Sequence, residues 1–431
     1  MLFQDITIVN QDFEIEKNMY VGVKSDKIVY VGKEKPKEDF GEIFDGNRKV
    51  LLPGFVNAHT HSPMTLLRGY AENLPLDRWL NEKVFPFEDR LNSERAYFGT
   101  MLSVAEMLAS GTTSFSDMYF FQEGVMRGAK DSHAKINFSR SIVSSSDVNF
   151  FEDARVSEAL EAVEKYHNTE NGKIKVDMAL HAEYTNTLSM IEQFGAYTKG
   201  KGLVNHIHVS ETKSEHENCK KKYGKTPTQV FSDAGVLDSP TVFAHGIWLE
   251  ESDREIIKNK GVTVVHCPAS NLKLGSGICD THTLSEMGIN VAIGTDSASS
   301  NNGLDMLREM YLAALLPKGI SGRADIMFPK EIIKMATVNG AKAQGRFDTG
   351  IIKEGYKADL TVIDMDKPNL YPDFDILSNI VYSAEKSDVV LTMVEGEVLY
   401  KNGEFTTVDV EKIGYEVSRI VREVVSEVQN G

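Results

Sequence analysis

Eight short apolar runs, each followed by a stretch with helical spacing, divide the middle of this 431-residue chain. They cover 50–57, Thr112–Asp117, Lys135–Val143, Lys173–His181, Leu203–Val209, Pro240–His245, Val262–Cys267 and Ile289–Thr295. Parallel strands cannot be joined by a tight turn, so strands that alternate with helices predict a parallel sheet with helical crossovers. Eight such units are what a (β/α)8 TIM barrel of roughly 250 residues or more requires. The helical spacing is clearest at Glu94–Ala109 and Asp305–Leu316, where apolar residues recur at intervals of three and four and a glycine or proline closes the segment nearby.

The two chain ends are patterned differently. Ile6–Val9 and Lys27–Gly32 alternate in short bursts, and the same style returns at Ala358–Asp364, Val389–Val394 and Glu395–Tyr400, before the turn Lys401–Gly403. Each group is too short to bury a face alone, so both are expected to build one small β-sandwich domain. The expected division is 1–53 and 352–408 as the two parts of that sandwich, 54–351 as the barrel, and 409–431 as a C-terminal packing helix. In that helix Ile413, Val417, Ile420, Val421, Val424 and Val428 share one face.

Asp and Glu outnumber Lys and Arg by 63 to 47, a formal charge of -16, which argues against nucleic acid or an anionic membrane as a partner. Cys219, Cys267 and Cys279 have no paired spacing, so neither a disulfide framework nor a thiolate zinc site is indicated, and a reducing cytoplasm is expected. The opening residues Met1–Ile6 lack a basic region followed by an apolar block, and no apolar run reaches about 18 residues. These features leave a cytoplasmic metabolic protein as the expectation, with a homo-oligomer compatible with it.

Each apolar run ends on, or is closely followed by, a polar residue that a purely structural barrel does not need: His59 and His61, then Asp117, Arg140, His181, His208, His245, His266 and Asp296. In a barrel these strand ends converge on one mouth. Seven of the eleven histidines, 59, 61, 181, 206, 208, 245 and 266, fall on or just after the runs, whereas His133, His167, His216 and His282 read as surface residues. Side chains at i and i+2 of a strand share a face, so His59 and His61 can meet one metal ion. His206 and His208 have the same parity and spacing alone cannot choose between them as the third ligand; Glu211, three residues on, favours His208. Asp296 is the best fourth ligand. Three imidazoles and a carboxylate suit Zn2+, with Fe2+ or Mn2+ as alternatives, and leave room for an activated water. Glu211 would stand over that water as a proton shuttle, against the plainer reading of a helix first-turn acid.

Pro53–His61, His208–Glu211, Phe243–Gly246, His266–Gly277 and Gly294–Asp296 resemble, in order and spacing, the mononuclear deaminase branch of the amidohydrolase superfamily. The likeness spans essentially the whole chain, and Ala358–Leu360 with Val394–Gly396 resembles that family's split β-sandwich. The fourth run ends in His181 with no lysine to be carboxylated as a metal bridge, which implies a single divalent metal ion. Within the branch, Leu66–Tyr70, Trp79–Leu80 and Phe85–Leu91 look most like the 5-methylthioadenosine/S-adenosylhomocysteine deaminase family.

The resemblance implies hydrolytic deamination of a small-molecule adenine nucleoside, with the metal held by His59, His61, His208 and Asp296. Asp296 would accept a proton from water, Glu211 would protonate N1 of the purine, and His245 would steady the attacking oxygen. Glu88 would hold the ribose hydroxyls, Trp79 would wall the substrate, and His181 would contact the nucleoside. Arg140 and Arg155 would meet the carboxylate of a homocysteine tail, a bidentate task suited to arginine. Ser300 would reach a purine nitrogen or serve only as a turn residue, and Glu88 has a rival reading as a capping partner of Arg90. A guanine, cytosine or triazine hydrolase would keep the same metal site, although a free base offers Glu88 no ribose. A non-catalytic barrel scaffold would bind no stoichiometric metal, and a glycosidase would need paired carboxylates in place of the histidine cluster.

Overall fold

A computed structural model describes residues 1–430 of the chain. The N-terminal strands are β1 (Leu2–Val9), β2 (Ile15–Lys24), β3 (Lys27–Gly32), β4 (Ile43–Asp45) and β5 (Lys49–Pro53). The central strands are β6 (Phe55–Thr60), β7 (Thr112–Tyr119), β8 (Lys135–Ile142), β9 (Ile174–Leu180), β10 (Asn205–Val209), β11 (Thr241–His245), β12 (Thr263–His266) and β13 (Val291–Ile293). The C-terminal strands are β14 (Leu360–Asp364), β15 (Val389–Val394), β16 (Glu397–Lys401) and β17 (Glu404–Phe405).

Strands β6 to β13 pair in chain order as one parallel eight-stranded sheet with helices between them, the (β/α)8 barrel expected from the alternation. The barrel closes between its first and last strands. There the Asp296 N–H donates to the His59 carbonyl at 3.0 Å, and the Asn57 side chain clasps Thr295 through its Nδ2 (2.7 Å to Oγ1) and its Oδ1 (3.0 Å from the Thr295 N–H). Gly294 makes the approach possible, since a Cβ there would lie 2.8–2.9 Å from His59 atoms. Inside, Ala58, Val204, Val242, Val265 and Ala292 form a thin apolar layer below the polar strand ends.

The two chain ends share one nine-stranded mixed sheet in the order β17-β16-β15-β14-β5-β1-β2-β3, with β4 added to β1. Its hydrogen bonding is continuous rather than split into two sheets, and residues from both halves, among them Phe3, Ile8, Val21, Leu51, Leu360 and Met393, bury one another in a single core. The apolar run 50–57, expected as one barrel strand, is divided at Gly54. The Gly54 N–H donates to Asp359 of the end sheet and the Phe55 N–H to Gly111 of the barrel, so the backbone changes partners within one residue. A Cβ on Gly54 would come within 2.2 Å of the Thr113 side chain. Lys135, at the start of β8, is buried between Asp359 (2.5 Å) and Glu395 (2.9 Å) and joins barrel to end sheet by an ion triad.

The helix expected at Glu94–Ala109 runs from Ser93 to Ala109 with Asn92 as its N-cap. The helix expected to finish near Leu316 continues past Pro317 to Ser321 and ends at Gly322, whose φ of +68° supplies the left-handed cap. The last helix, Val410–Asn430, turns Ile413, Ile420 and Val424 inward, and Arg95 ties it down through Glu427 at 2.7 Å. Over the barrel mouth, Leu76–Trp79 and Phe85–Glu88 are helical turns joined by a π-helical turn at Leu80–Val84, a wide turn that recurs at functional sites. Among the described residues no helix is long and apolar enough to cross a membrane.

Candidate metal and catalytic centre

Three imidazoles present their Nε2 atoms to one point because their Nδ1 atoms are tied elsewhere. His61, just past β6, has Nδ1 at 2.5 Å from the Met118 carbonyl, and His208 on β10 has Nδ1 at 2.8 Å from the His181 carbonyl. A carbonyl can only accept, so each Nδ1 carries a proton and each Nε2 is turned toward the centre. His59 sits on the last turn of β6, a strand whose pairing with β7 is irregular, and its Nδ1 meets Nε2 of His206 at 2.9 Å. Position rather than parity therefore separates the two candidates for the third ligand: His208 faces the centre and His206 stands behind His59.

The inward atoms are closely spaced. His61 Nε2 lies 3.3 Å from Asp296 Oδ1, His59 Nε2 lies 3.7 Å from the same oxygen, and His61 and His208 Nε2 are 3.4 Å apart. Donors about 2.0–2.1 Å from a common tetrahedral centre would be roughly 3.3–3.4 Å apart. His59 Nε2 is buried without a hydrogen-bond partner, and the potential ligand atoms of His59, His61 and Asp296, like those of His59, His208 and His245, fall within 4.8 Å of one another. The donor set fits one divalent ion.

The electrostatics agree with ligand duty. Burial holds His59 and His208 well below the ordinary imidazole value, and lowers His206 to about 3 and His181 to about 4, so these rings are neutral at pH 7. His61 is the exception: burial opposes a charge there too, but the Asp296 carboxylate overrides it and lifts His61 to about 9, so without an ion this ring holds a second proton on Nε2 against Asp296, which a bound metal would displace. Burial would raise Asp296; the adjoining His61 and the Ser270 hydroxyl instead hold its carboxyl far below the usual range. Its Oδ2 accepts from Ser270 Oγ (2.5 Å) and Ser300 Oγ (2.9 Å), and its Oδ1 from the Ser297 N–H (2.7 Å).

Glu211 follows β10 after Ser210 and is buried at the same mouth, with Oε2 3.8 Å from His245 Nε2 and Oε1 accepting from Ser276 Oγ at 3.3 Å. Burial raises its carboxyl above the ordinary value. His245, at the end of β11 with a left-handed φ of +72°, has Nδ1 2.8 Å from Asn271 Oδ1. A cavity of about 720 Å³ opens over these groups. Trp79, Glu88, Arg140, Arg155 and His181 all line it, together with His61, His208, Glu211, His245 and Asp296.

Several expectations change at the level of contacts. Ser300 is buried with its hydroxyl spent on Asp296, so it buttresses a carboxylate rather than facing the cavity; Ser297 lines the cavity instead. Glu88 accepts from the Tyr119 hydroxyl at 2.6 Å, and no ion pair joins it to Arg90 among the described residues. Arg140 is engaged by Glu158 at 2.6 Å, whereas Arg155 is half exposed and 4.0 Å from Asp153. Asp117 accepts from the Ser62 N–H and hydroxyl, both at 2.6 Å, and holds the turn after His61. His216, expected at the surface, is buried between Ser210 and Glu250 because its helix packs its first turn beneath the mouth. The residues missed from the sequence are supports: Asn271 and Ser270 stand inside the His266–Gly277 motif, which alone could have signalled them, and Tyr119, which ends β7, carries no sequence signal.

Comparison with known proteins gives concordant results. The profile of the amidohydrolase family matches residues 50–399. The 5-methylthioadenosine/S-adenosylhomocysteine deaminase of Acetivibrio thermocellus is 41% identical over 424 residues, covering 97% of this chain and 98% of that protein. The enzyme of the same name from Thermoanaerobacter pseudethanolicus is 37% identical over 428 residues, covering 99% of each. Among solved structures, an adenosine deaminase from Xanthomonas campestris with bound zinc superposes with a TM-score of 0.92 at 29% identity, over 99% of this chain and 98% of that one.

Proposed function

The chain belongs to the amidohydrolase family, and from that membership we propose that it hydrolyses the 6-amino group of adenine thionucleosides, 5'-methylthioadenosine and S-adenosylhomocysteine, to the inosine analogues and ammonia. The observation that carries the reading is a pair of carboxyl groups driven apart at one barrel mouth: Asp296 held low beside His61 and Glu211 raised by burial. Environments that separate two carboxyl groups in this way assign one as base and the other as acid.

A zinc ion held by His59, His61, His208 and Asp296, when bound, would bring the pKa of water down toward about 7 and so provide the nucleophile at neutral pH. Asp296 takes one proton from the attacking water. Glu211, whose burial favours the protonated form, gives a proton to N1, which removes the aromatic resistance at C6. His245, its Nδ1 held by the Asn271 amide oxygen, turns Nε2 to the same mouth and steadies the oxygen that adds to C6. Asp296 then passes the water proton to the amino nitrogen while the new C6 hydroxyl gives its own proton to the Glu211 carboxylate, the C6–N bond breaks as the C6 carbonyl forms, and ammonia leaves.

The nucleoside reading is supported by Glu88, which lines the cavity beside Trp79 and has one oxygen on Tyr119, leaving the other for ribose hydroxyls. His181 lines the same wall. Arg155, whose guanidinium has no partner closer than 4.0 Å, is suited to a tail carboxylate, and Arg140 lines the same cavity but would share its guanidinium with Glu158. A cytoplasmic location is part of the proposal, supported by three buried free cysteines. The test is ammonia release by zinc-loaded protein from both thionucleosides, adenosine, guanine and cytosine, with Glu211→Gln as control. Release from the thionucleosides that disappears in Glu211→Gln supports the reading, and release from guanine or cytosine alone refutes it.

A further inference from the structure

The turn that carries Glu211, Ser210–Thr212, is held by side chains outside the cavity. Glu215 is buried, and its Oε1 accepts the Ser210 N–H at 2.7 Å while its Oε2 accepts those of Glu211 (2.8 Å) and Thr212 (3.3 Å). The Thr212 hydroxyl accepts the Glu215 N–H in return at 3.1 Å. A capping box explains only the Thr212 contacts; the other two N–H groups belong to the turn itself. Ser210 adopts a φ of +51°, an unfavourable conformation for a residue with a Cβ, so the turn is constrained by its surroundings.

A second tether starts from the same serine. Ser210 Oγ lies 3.1 Å from His216 Nδ1, His216 Nε2 lies 3.2 Å from Glu250 Oε1, and Lys220 neutralises that oxygen at 2.6 Å. The order serine, histidine, acid is that of a nucleophilic hydrolase, but Ser210 has no exposed surface for a substrate to reach. The chain is an anchor.

We infer that Glu215 and the Ser210–His216–Glu250 chain are positioning residues that set where the Glu211 carboxyl stands over the reacting ring, a role that rests on the proton transfer proposed for Glu211. None of the four lines the cavity over the metal donors, although Glu215 borders the neighbouring one of about 650 Å³, so their loss affects turnover more than nucleoside binding. A displacement of about 1 Å at a reacting group lowers rate about 100-fold.

Glu215→Gln keeps the shape but turns an NH2 group toward an N–H. We expect kcat to fall about ten- to a hundredfold, with KM within about twofold and full zinc content. At His216, Asn restores a polar atom near Nδ1 for Ser210, Gln restores one near Nε2 for Glu250, and Leu restores neither. The expected order is a fall of about three- to tenfold in kcat for His216→Gln and His216→Leu, most of it recovered in His216→Asn, while the melting temperatures of all three fall together. A folded Glu215→Gln with kcat within twofold of wild type overturns the inference and leaves Glu215 as a helix cap. If that variant does not fold, the His216 series decides: equal turnover in all three, or losses that follow melting temperature, overturns it. Wild-type turnover in Glu211→Gln sinks the underlying reading of Glu211 instead, so the two failures are distinct.

Discussion

Gly294→Ala is a small change that reaches the proposed metal donors without replacing one. The added Cβ would stand 2.8 Å from the His59 nitrogen and 2.9 Å from its Cβ and carbonyl oxygen, where ordinary contact begins near 3.4 Å. Since His59 is packed on its far side by His206, the last strand must withdraw by about 0.6 Å, the difference between 2.8 and 3.4 Å. The Asp296 N–H to His59 bond, now 3.0 Å, then lengthens beyond hydrogen-bonding range, and Asp296 Oδ1 moves away from His59 and His61. Overpacking contributes about 1–3 kcal/mol and the lost bond about 0.5–1.5 kcal/mol, a destabilisation of roughly 1.5–4.5 kcal/mol. With an unfolding entropy of about 2.1 cal/mol/K per residue, this corresponds to a fall of about 2–5 °C in melting temperature for the full chain. Calorimetry gives the first readout, and zinc content by atomic emission after dialysis against a weak chelator gives the second, which should drop below one ion per chain. Gly319→Ala, in the helix Met306–Ser321 with no atom within 4 Å of its added Cβ, is the control and should leave both unchanged or raise stability by up to about 1 kcal/mol. Gly294→Ala with wild-type melting and one retained zinc ion would show that the strand closure does not position Asp296.

Lys135→Met should destabilise the protein by about 3–5 kcal/mol in denaturant unfolding, because Asp359 is left buried without its cation and Glu395 keeps only Lys357; a loss below about 1 kcal/mol refutes the triad as a joint between barrel and end sheet. Burial raises Glu88 to about 7, with the Tyr119 hydroxyl opposing the rise, and only the ionised form accepts two ribose donors. KM for 5'-methylthioadenosine should therefore fall as pH increases through about 7, and Glu88→Gln should raise KM about ten- to a hundredfold and flatten that dependence in steady-state assays. Arg155→Ala should raise KM for S-adenosylhomocysteine about tenfold or more while leaving 5'-methylthioadenosine within twofold; equal effects on both would remove Arg155 from tail recognition.

What the sequence reveals here follows from periodicity and what it hides follows from three-dimensional packing. The eight runs and the paired imidazoles of β6 can be read because strand parity is a local property. The run 50–57 misleads, since Val50 through Val56 is apolar on both sides of Gly54, and only the Thr113 side chain crowding that glycine shows where the backbone changes sheets. His206 and His208 are equivalent by spacing, and the tie is broken by a carbonyl on the neighbouring strand. Ser300 and His216 fail for the same reason: each lies in a short helix or its cap, and whether such a hydroxyl or ring faces a cavity or a carboxylate depends on elements far away in the chain. Asn271 and Ser270 act only through His245 and Asp296, so nothing in their own surroundings announces them.

The closing seam between β6 and β13 has a consequence for biosynthesis. The histidine pair is among the first parts of the barrel to leave the ribosome, while the carboxylate that completes the set is separated from it by more than two hundred residues, as the Thr60 to Asp296 bond spans 236 positions. Until the eighth strand docks, the nascent chain presents imidazoles with no anionic partner and an open sheet edge on each side. Tight metal capture is therefore a property of the finished ring alone. Loading of a divalent ion would report completion of the barrel, and a chain arrested at any earlier strand would be told from the mature enzyme by its failure to hold that ion.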